Sequence, residues 1–266
     1  MNTKRLVIVG CGKLAEIVAD ALINGILPDY QLVGVLSRTK EKAEAIANKI
    51  VKADSDYTCQ VCSSLDELLA LKPDYLVESA SPAALIELAL PALKNGTSLV
   101  VLSIGALADR LFYQDVEQTA RENSQRVHIV SGATGGFDVL RTASLMGKTT
   151  VSFDTEKGPN SLKGTSVYDE ALQTEKRKVF EGNAQEAIAL FPTKVNVAVA
   201  ASLASVGPED IQVSVTSTPD FVGDDHRIEV RNEQVHAVID VYSQTAQIAG
   251  WSVVNTLRNI SSPIVF

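Results

Sequence analysis

Three small residues near the start of the chain, Gly10, Gly12 and Ala15, have a spacing that lets backbone approach a ligand closely. The first glycine permits a tight turn, the second has no Cβ to obstruct the approach, and the alanine lets a helix pack closely on a strand. A helix also begins with amides that have no partner within it, and its dipole favours negative charge there. The spacing therefore predicts a site for the diphosphate of a dinucleotide, with Lys13 and Leu14 of the same turn as further contacts.

Polar residues at the ends of two later strands are candidates for binding the rest of that ligand. At the end of the second strand a carboxylate bonds the ribose of NAD, whereas an arginine accepts the 2′-phosphate of NADP. Arg38 at this position predicts a protein that uses NADP without excluding NAD; the alternative is that Arg38 only covers the adenine. After a further strand, Ser79, Ala80 and Ser81 are predicted cofactor contacts. Ser81 is equally well explained as the cap of a helix that begins at Pro82.

Apolar strands and amphipathic helices alternate around these candidates in the first half of the chain. The strand Leu6–Val9 is short, apolar and mostly β-branched, as buried parallel strands are, and the alternation ends near Val127–Val130. Right-handed βαβ units in this number form a doubly wound parallel sheet. The sequence thus predicts an α/β fold in which residues 1–130 are a Rossmann-type dinucleotide-binding domain.

The pattern changes from Thr149 onward, where apolar and polar residues alternate in short segments. Such alternation marks sheets with one solvated face, so residues 131–244 are predicted to form a mostly antiparallel α+β domain. A long alanine-rich helix is expected after Phe191 and Pro192. The last amphipathic stretch, at about 245–266, is expected to pack back on the first domain. Because a strand-rich domain of this kind commonly buries a sheet face against a second subunit, we expect a homodimer or larger homo-oligomer.

The connection between the two halves, residues 131–138, contains three glycines within five residues: Gly132, Gly135 and Gly136. So many positions without a branched side chain predict close approach of the backbone to a ligand. The alternative is a mobile connection between domains.

Charge and cysteine content limit the classes of partner. The net charge of −8 over 266 residues argues against nucleic acid and anionic membranes, because both bind clustered cations. No stretch reaches the roughly 18 unbroken apolar residues of a membrane span, and no signal-peptide core precedes the first strand, so a cytoplasmic location is expected. Cys59 and Cys62 have no second pair nearby, which favours reduced thiols over a zinc site; no metal is predicted.

Motifs spread along nearly the whole chain resemble those of the L-aspartate dehydrogenase family. Together these motifs are far more specific than the glycine motif alone. The segments that carry the resemblance are Gly10-x-Gly12, Glu78-Ser79-Ala80-Ser81-Pro82, Ser131-Gly132-Ala133-Thr134-Gly135-Gly136-Phe137-Asp138, Phe180-Glu181-Gly182, Phe191-Pro192-x-x-Val195-Asn196-Val197-Ala198 and His226-Arg227-Ile228-Glu229-Val230.

The resemblance implies a reaction, a small-molecule substrate and residue roles. It implies NAD(P)-dependent deamination of L-aspartate through iminoaspartate, or the reverse amination of oxaloacetate, with catalysis in the second domain. His226 matches the family's catalytic histidine, and Ala133 and Asn196 match its cofactor-binding alanine and asparagine. Histidine suits this chemistry because it titrates near neutral pH, so it can accept the amine proton and activate water. We expect His226 in a loop entering a strand, with its pKa raised by Asp224 and Asp225.

Two segments depart from the family pattern. Where the family has Asn-Pro-Lys-Thr-Ser, residues 242–246 read Tyr-Ser-Gln-Thr-Ala, and residues 217–219 read Ser-Thr-Pro in place of Ala-Asp-Pro. A charge-assisted contact is worth about 1.5–3 kcal/mol, so the missing lysine costs roughly tenfold to a hundredfold in affinity if it binds the substrate. Lys194 and Arg227 are candidate replacements. The alternatives are therefore a related amino-acid or hydroxy-acid dehydrogenase with an altered pocket, or a dinucleotide-binding sensor without turnover.

Overall fold

The computed structural model describes residues 3–54, 58–192 and 194–266. The chain divides into two compact units, one comprising Met1–Val130 with Ala249–Phe266, the other Ser131–Ile248. Within the described part of the chain, no helix combines the length and the apolar content needed to cross a membrane.

The first unit contains a six-stranded parallel sheet with helices in its connections. Its strands are β1 (Lys4–Val9), β2 (Tyr30–Leu36), β3 (Gln60–Cys62), β4 (Tyr75–Glu78), β5 (Ser98–Val101) and β6 (Val127–Ile129). Its helices are α1 (Lys13–Ile23), α2 (Lys40–Ala53), α3 (Leu65–Ala70), α4 (Pro82–Lys94) and α5 (Arg110–Glu122). A 3₁₀ helix, Ile104–Ala108, follows β5. The strand order β3-β2-β1-β4-β5-β6, with every neighbouring pair parallel, confirms the predicted doubly wound sheet.

The carboxyl-terminal helix completes this unit. It is Gln247–Ser261, and its residues from Ala249 onward belong to the first unit. The Tyr30 hydroxyl donates to the carbonyl of Leu257 at 2.8 Å. A Cβ at Gly250 would lie 2.6 Å from Ile17 Cδ1, so the glycine allows this helix to pack directly on α1.

The second unit contains a five-stranded mixed sheet. Its strands are β7 (Thr150–Lys157), β8 (Arg177–Gly182), β9 (Gln212–Ser217), β10 (Asp224–Arg231) and β11 (His236–Ser243). Its helices are α6 (Phe137–Met146), α7 (Ala184–Leu190) and α8 (Asn196–Leu203), and α9 is the carboxyl-terminal helix Gln247–Ser261. The strand order is β11-β10-β7-β9-β8, and only the β7–β9 pair among these neighbours is parallel. The prediction of a mostly antiparallel α+β unit is confirmed.

The expectation of a long alanine-rich helix after Phe191 is wrong, because α8 has only eight residues. The helix ends at Leu203 with Ala204 as its C-cap, and Gly207, three residues further on with φ of +95°, donates its amide back to the Ser202 carbonyl at 2.8 Å. A glycine that closes back on the last turn is a common way to end a helix.

Candidate functional site

The glycine turn of the first unit is held by its neighbours at the carboxyl ends of the strands. The Gly10 amide donates to the carbonyl of Leu36, the last residue of β2, at 2.9 Å. The Ser79 hydroxyl donates to the Gly10 carbonyl at 2.7 Å. Gly10 has φ of +92°, and a Cβ there would lie 2.6 Å from backbone atoms of Ser79 and Ala80. The protein's own packing therefore requires the first glycine.

Gly12 faces open space. It is the N-cap residue of α1, and no side chain of the described residues caps that helix. A Cβ at Gly12 would have no atom of the described residues within 4 Å. Room for a ligand beside uncapped amides is what a diphosphate requires, so this end of α1 fits the NAD(P) cofactor. Lys13 is exposed and Leu14 is half-buried in the first turn of the same helix.

The other predicted contacts of the first unit follow β2 and β4 at the same edge of the sheet. Arg38 is exposed two residues beyond β2, Ala80 is exposed, and Ser79 and Ser81 are half-buried. The Ser81 hydroxyl accepts from the Ala84 amide at 3.2 Å, which confirms its role as the N-cap of α4. The structure thus brings the glycine turn and the segment 79–81 into contact.

His226 lies inside β10 and is only 3% exposed, so the expectation of a histidine in a loop entering a strand is wrong. Its Nδ1 forms a 2.9 Å hydrogen bond with the Thr155 hydroxyl of β7. Its ring packs on Phe153 with the centroids 5.4 Å apart. These contacts fix the orientation of the imidazole and leave Nε2 as the ring nitrogen that Thr155 does not engage.

The pKa of His226 is lowered from 6.5 to about 4, whereas the sequence predicted that its acidic neighbours would raise it. Burial is the largest cause, because a protonated ring loses its hydration, and the positive charge of Lys157 acts in the same direction. The Asp224 carboxylate and the backbone of Asp225 favour the protonated ring but do not outweigh these effects. The imidazole is therefore neutral at physiological pH.

An ion pair lies next to the histidine on the same face of the sheet. Lys157 is 5% exposed, and its ammonium donates to the Asp224 carboxylate. In the antiparallel register, Lys157 is opposite Asp224 and Thr155 is opposite His226, so all four side chains share one face. The pair places one positive and one negative group beside a neutral imidazole.

The predicted ligand loop and the start of α8 are packed together within the second unit. Gly132 has φ of +64°, and a Cβ there would lie 3.4 Å from Val197 Cγ2. Ala133 is 9% exposed in this loop, and Asn196 is the half-buried first residue of α8. The structure thus brings the elements that carry these two predicted cofactor contacts together.

Thr134 gives independent support to the ligand interpretation of residues 131–138. Its hydroxyl oxygen is buried and has no hydrogen-bond partner among the described residues. Buried polar atoms are nearly always hydrogen-bonded, so an orphan in a glycine-rich loop favours a polar ligand there.

The two cations suggested as replacements for the missing lysine are engaged elsewhere. Arg227 follows His226 in β10 and therefore lies on the opposite face, where it pairs with Asp240 at 3.4 Å and Glu229 at 3.8 Å. The Lys194 ammonium donates to the Ser161 carbonyl. Lys157, by contrast, lies on the histidine's own face.

Two buried charged residues, Glu78 and Lys157, received no role from the sequence. Each is the last residue of a strand whose preceding residues include buried apolar side chains, β4 and β7. A charged residue at the end of such a strand is the signal that could have identified them, because burying a charge is costly unless it is paired.

Metal binding by cysteines was the other chemistry that the sequence analysis considered. Cys11, Cys59 and Cys62 are free thiols, and burial raises the pKa of Cys59 and of Cys62. In the described ranges, no group of three or more His, Cys, Asp or Glu side chains is arranged to hold a metal ion.

Comparisons with known proteins match both units and the whole chain. Residues 10–130 match the NAD-binding domain family of homoserine dehydrogenase, and residues 138–260 match the family described as aspartate dehydrogenase, C-terminal. An L-aspartate dehydrogenase from Methanococcus maripaludis is 30% identical over 268 residues, which cover 97% of each chain. The chain belongs to the L-aspartate dehydrogenase family.

Another member of this family, from Methanosarcina acetivorans, is 32% identical over 269 residues and is likewise covered over 97% of its length. Among solved structures, aspartate dehydrogenase from Thermotoga maritima superposes with a TM-score of 0.76 and 26% identity, and each chain is fully covered. The family's architecture therefore extends over the whole of this chain.

Proposed function

We propose that this protein is an NAD(P)-dependent L-aspartate dehydrogenase, which converts L-aspartate and water to oxaloacetate and ammonium, or catalyses the reverse amination. In the deamination direction, the C2 hydrogen leaves as hydride while the amine loses a proton, which gives iminoaspartate. Water then adds to the C=N bond, and the C–N bond breaks to release ammonia. One observation carries this proposal. In a chain that belongs to this family, His226 is buried, is neutral at physiological pH and has its ring held by Thr155.

The cofactor is assigned to the residues that fit it. When bound, the nicotinamide supplies the hydride acceptor. The uncapped amides of α1 and the open space at Gly12 would hold the diphosphate, beside the segment 79–81 that packs on the glycine turn. Arg38, two residues beyond β2, would bind a 2′-phosphate, and the family resemblance assigns Ala133 and Asn196 as further cofactor contacts.

His226 is assigned the proton transfers. Its neutral ring accepts a proton from the substrate amine and releases it to solvent. It then accepts a proton from the water that attacks the imine and returns it to the departing nitrogen, so that the C–N bond breaks with release of ammonia. The hydrogen bond between Nδ1 and Thr155 orients the ring. We assign the tautomer in which Nδ1 donates to the threonine hydroxyl, which makes Nε2 the proton acceptor. Because the pKa is about 4, the base form is present at every pH above that value.

We also propose a cytoplasmic homodimer. Three free thiols suit a reducing compartment. Val238 and Tyr242 share one face of β11 and are 41% and 53% exposed, which favours contact with a second copy. A monomer mass from light scattering of the purified protein would contradict the dimer.

The test is absorbance at 340 nm with purified protein, NAD⁺ or NADP⁺, and each of the twenty amino acids in turn. Signal with aspartate alone is expected. His226→Gln should abolish that signal while calorimetry shows unchanged nucleotide affinity.

Two outcomes would contradict the proposal. Signal with another amino acid and none with aspartate would make residues 242–246 a determinant of a different specificity. If no amino acid gives a signal in a protein that still binds NADP⁺, the same assay with 2-hydroxy acids separates the two remaining alternatives: a signal would identify a hydroxy-acid dehydrogenase, and none would favour a dinucleotide-binding sensor.

A further inference from the structure

Glu78 is a fully buried carboxylate, 0% exposed, at the carboxyl end of β4. Its Oε1 accepts from the amides of Ala80 at 2.8 Å and Ser81 at 3.0 Å, and from the hydroxyl of Ser103 at 2.8 Å. Its Oε2 accepts from the Ser103 amide at 2.9 Å. All four donors are neutral groups. Burial raises the pKa of the Glu78 carboxyl, and these hydrogen bonds act in the opposite direction.

These four bonds join two loops that leave the sheet at adjacent strands. Ala80 and Ser81 belong to the loop after β4, and Ser103 belongs to the loop after β5. The loop after β4 also packs against the glycine turn. The Ser79 hydroxyl donates to the Gly10 carbonyl, and the backbone of Ser79 and Ala80 fills the space beside Gly10. The carboxylate therefore acts on the glycine turn through one intervening loop.

We propose that Glu78 is a positioning residue for the cofactor site, whose buried carboxylate holds the loops after β4 and β5 in the conformation against which the glycine turn packs. The inference rests on the proposed function, since it requires that the glycine turn bind NAD(P). Glu78 needs no contact with the cofactor. Without Glu78, the Ser103 amide would be a buried donor and the amides of Ala80 and Ser81 would be partly buried donors, all without this acceptor, and the loop would rearrange to hydrate them.

Glu78→Gln preserves the shape of the side chain but cannot satisfy all four donors. If the amide oxygen takes the place of Oε1, the NH₂ group faces the Ser103 amide. If it takes the place of Oε2, the NH₂ group faces the amides of Ala80 and Ser81. Either orientation opposes a donor to a donor, so the loops lose part of their restraint.

Thr97→Val is a matched control. Thr97 is also 0% exposed, and its hydroxyl donates to the Pro73 carbonyl at 2.9 Å. This bond joins the segments that precede β4 and β5, at the opposite edge of the sheet from the glycine turn. The control thus removes a buried hydrogen bond between segments at the other ends of the same two strands, without touching the loops that Glu78 holds.

The experiment measures NAD⁺ and NADP⁺ affinity by calorimetry for the full chain, Glu78→Gln and Thr97→Val, at a temperature where thermal unfolding shows all three folded. We expect cofactor affinity to fall roughly tenfold or more in Glu78→Gln and to stay within about twofold in Thr97→Val. Hydrogen exchange without cofactor should be faster at Ala80, Ser81 and Ser103 in Glu78→Gln alone. In turnover, the KM for the cofactor should rise while the KM for the amino acid does not.

Equal affinities in Glu78→Gln and wild type would overturn the inference and leave the proposed function standing. A wild type that binds neither NAD⁺ nor NADP⁺ would overturn both. If Glu78→Gln does not fold, Ser103→Ala decides, since it deletes one of the four donors. Roughly two- to tenfold weaker cofactor binding supports the inference, and affinity equal to that of Thr97→Val overturns it.

Discussion

The ammonium of Lys157 and the imidazole of His226 lie on one face of the second sheet, on the adjacent antiparallel strands β7 and β10. The lysine is paired with Asp224. Because the lysine is buried, water screens its charge poorly. It therefore lowers the pKa of the histidine in addition to the effect of burial. Both causes maintain the neutral imidazole that the proposed proton transfer requires.

Lys157→Met is expected to raise the pKa of His226. The substitution removes a like charge and leaves Asp224 without its partner, and both changes favour the protonated ring. The acid limb of the pH profile for aspartate deamination should move from near pH 4 toward pH 6.5, by roughly one pH unit or more. The measurement is kcat/KM against pH with saturating cofactor.

Lys176→Met provides the control for this substitution. Lys176 pairs with Glu156 at 3.0 Å, and Glu156 lies on the face of β7 opposite Lys157. The control should leave the acid limb in place. An unchanged limb in Lys157→Met would contradict the electrostatic role of the lysine.

The depressed pKa of His226 also predicts how stability depends on pH. Between pH 6.5 and about 4, the unfolded chain binds a proton at this histidine that the folded chain does not. The free energy of unfolding should therefore fall as the pH is lowered through this window, by up to about 3 kcal/mol from this group. Urea unfolding at pH 7.0 and pH 4.5 measures the difference.

His226→Gln should have a smaller loss of stability between these two pH values than the wild type. The pKa of His128 is also lowered, first by burial, but that histidine is present in both proteins, so its contribution cancels in the comparison. Parallel stability curves for the two proteins would show that His226 is not buried in its neutral form.

Local features of the chain allowed the fold class and one cap to be predicted from sequence. The apolar strand Leu6–Val9, the spacing of the glycine turn and the Ser81-Pro82 start of α4 depend on periodicity and on neighbours within a few residues. The structure confirms each of these features. Helix length was less predictable, because α8 ends at Leu203 although the apolar run continues, and the chain folds back there through the bond from the Gly207 amide to the Ser202 carbonyl.

The surroundings of His226 could not be predicted in this way. Its hydrogen-bond partner Thr155 is 71 residues earlier in the chain, and strand pairing alone brings the two together. Asp224 and Asp225 directly precede His226 in the sequence, and from this we expected the pKa of His226 to be raised. Strand alternation places Asp225 on the opposite face, and pairing places Lys157 beside Asp224, so burial and the lysine determine the direction of the shift.

Arg38 predicts a preference between cofactors. Because it is exposed two residues beyond β2, Arg38→Ala should weaken NADP⁺ binding roughly tenfold or more, through loss of a charge-assisted contact, and should leave NAD⁺ affinity nearly unchanged. Calorimetric titration with each nucleotide measures the ratio. Lys40→Ala is the control, because Lys40 is a nearby exposed cation that pairs with Glu44 at 3.3 Å. Equal weakening of both nucleotides by Arg38→Ala would instead favour contact with the adenine.

The two glycines of the first turn should respond differently to the same added methyl group. Gly12→Ala places a Cβ in open space with φ of −89°, so stability should change by no more than about 1 kcal/mol. The methyl group occupies the space assigned to the diphosphate, and NAD(P)⁺ affinity should fall roughly tenfold or more, about 1.4 kcal/mol.

Gly10→Ala should instead impair folding, because it combines a φ of +92° with a Cβ 2.6 Å from the backbone of Ser79 and Ala80. The expected loss exceeds about 1 kcal/mol, since relief would require moving backbone and not a flexible side chain. Chemical unfolding and calorimetric titration of both variants separate the two effects. A stable Gly12→Ala protein that binds NAD(P)⁺ as tightly as wild type would show that the diphosphate does not lie against the amino end of α1.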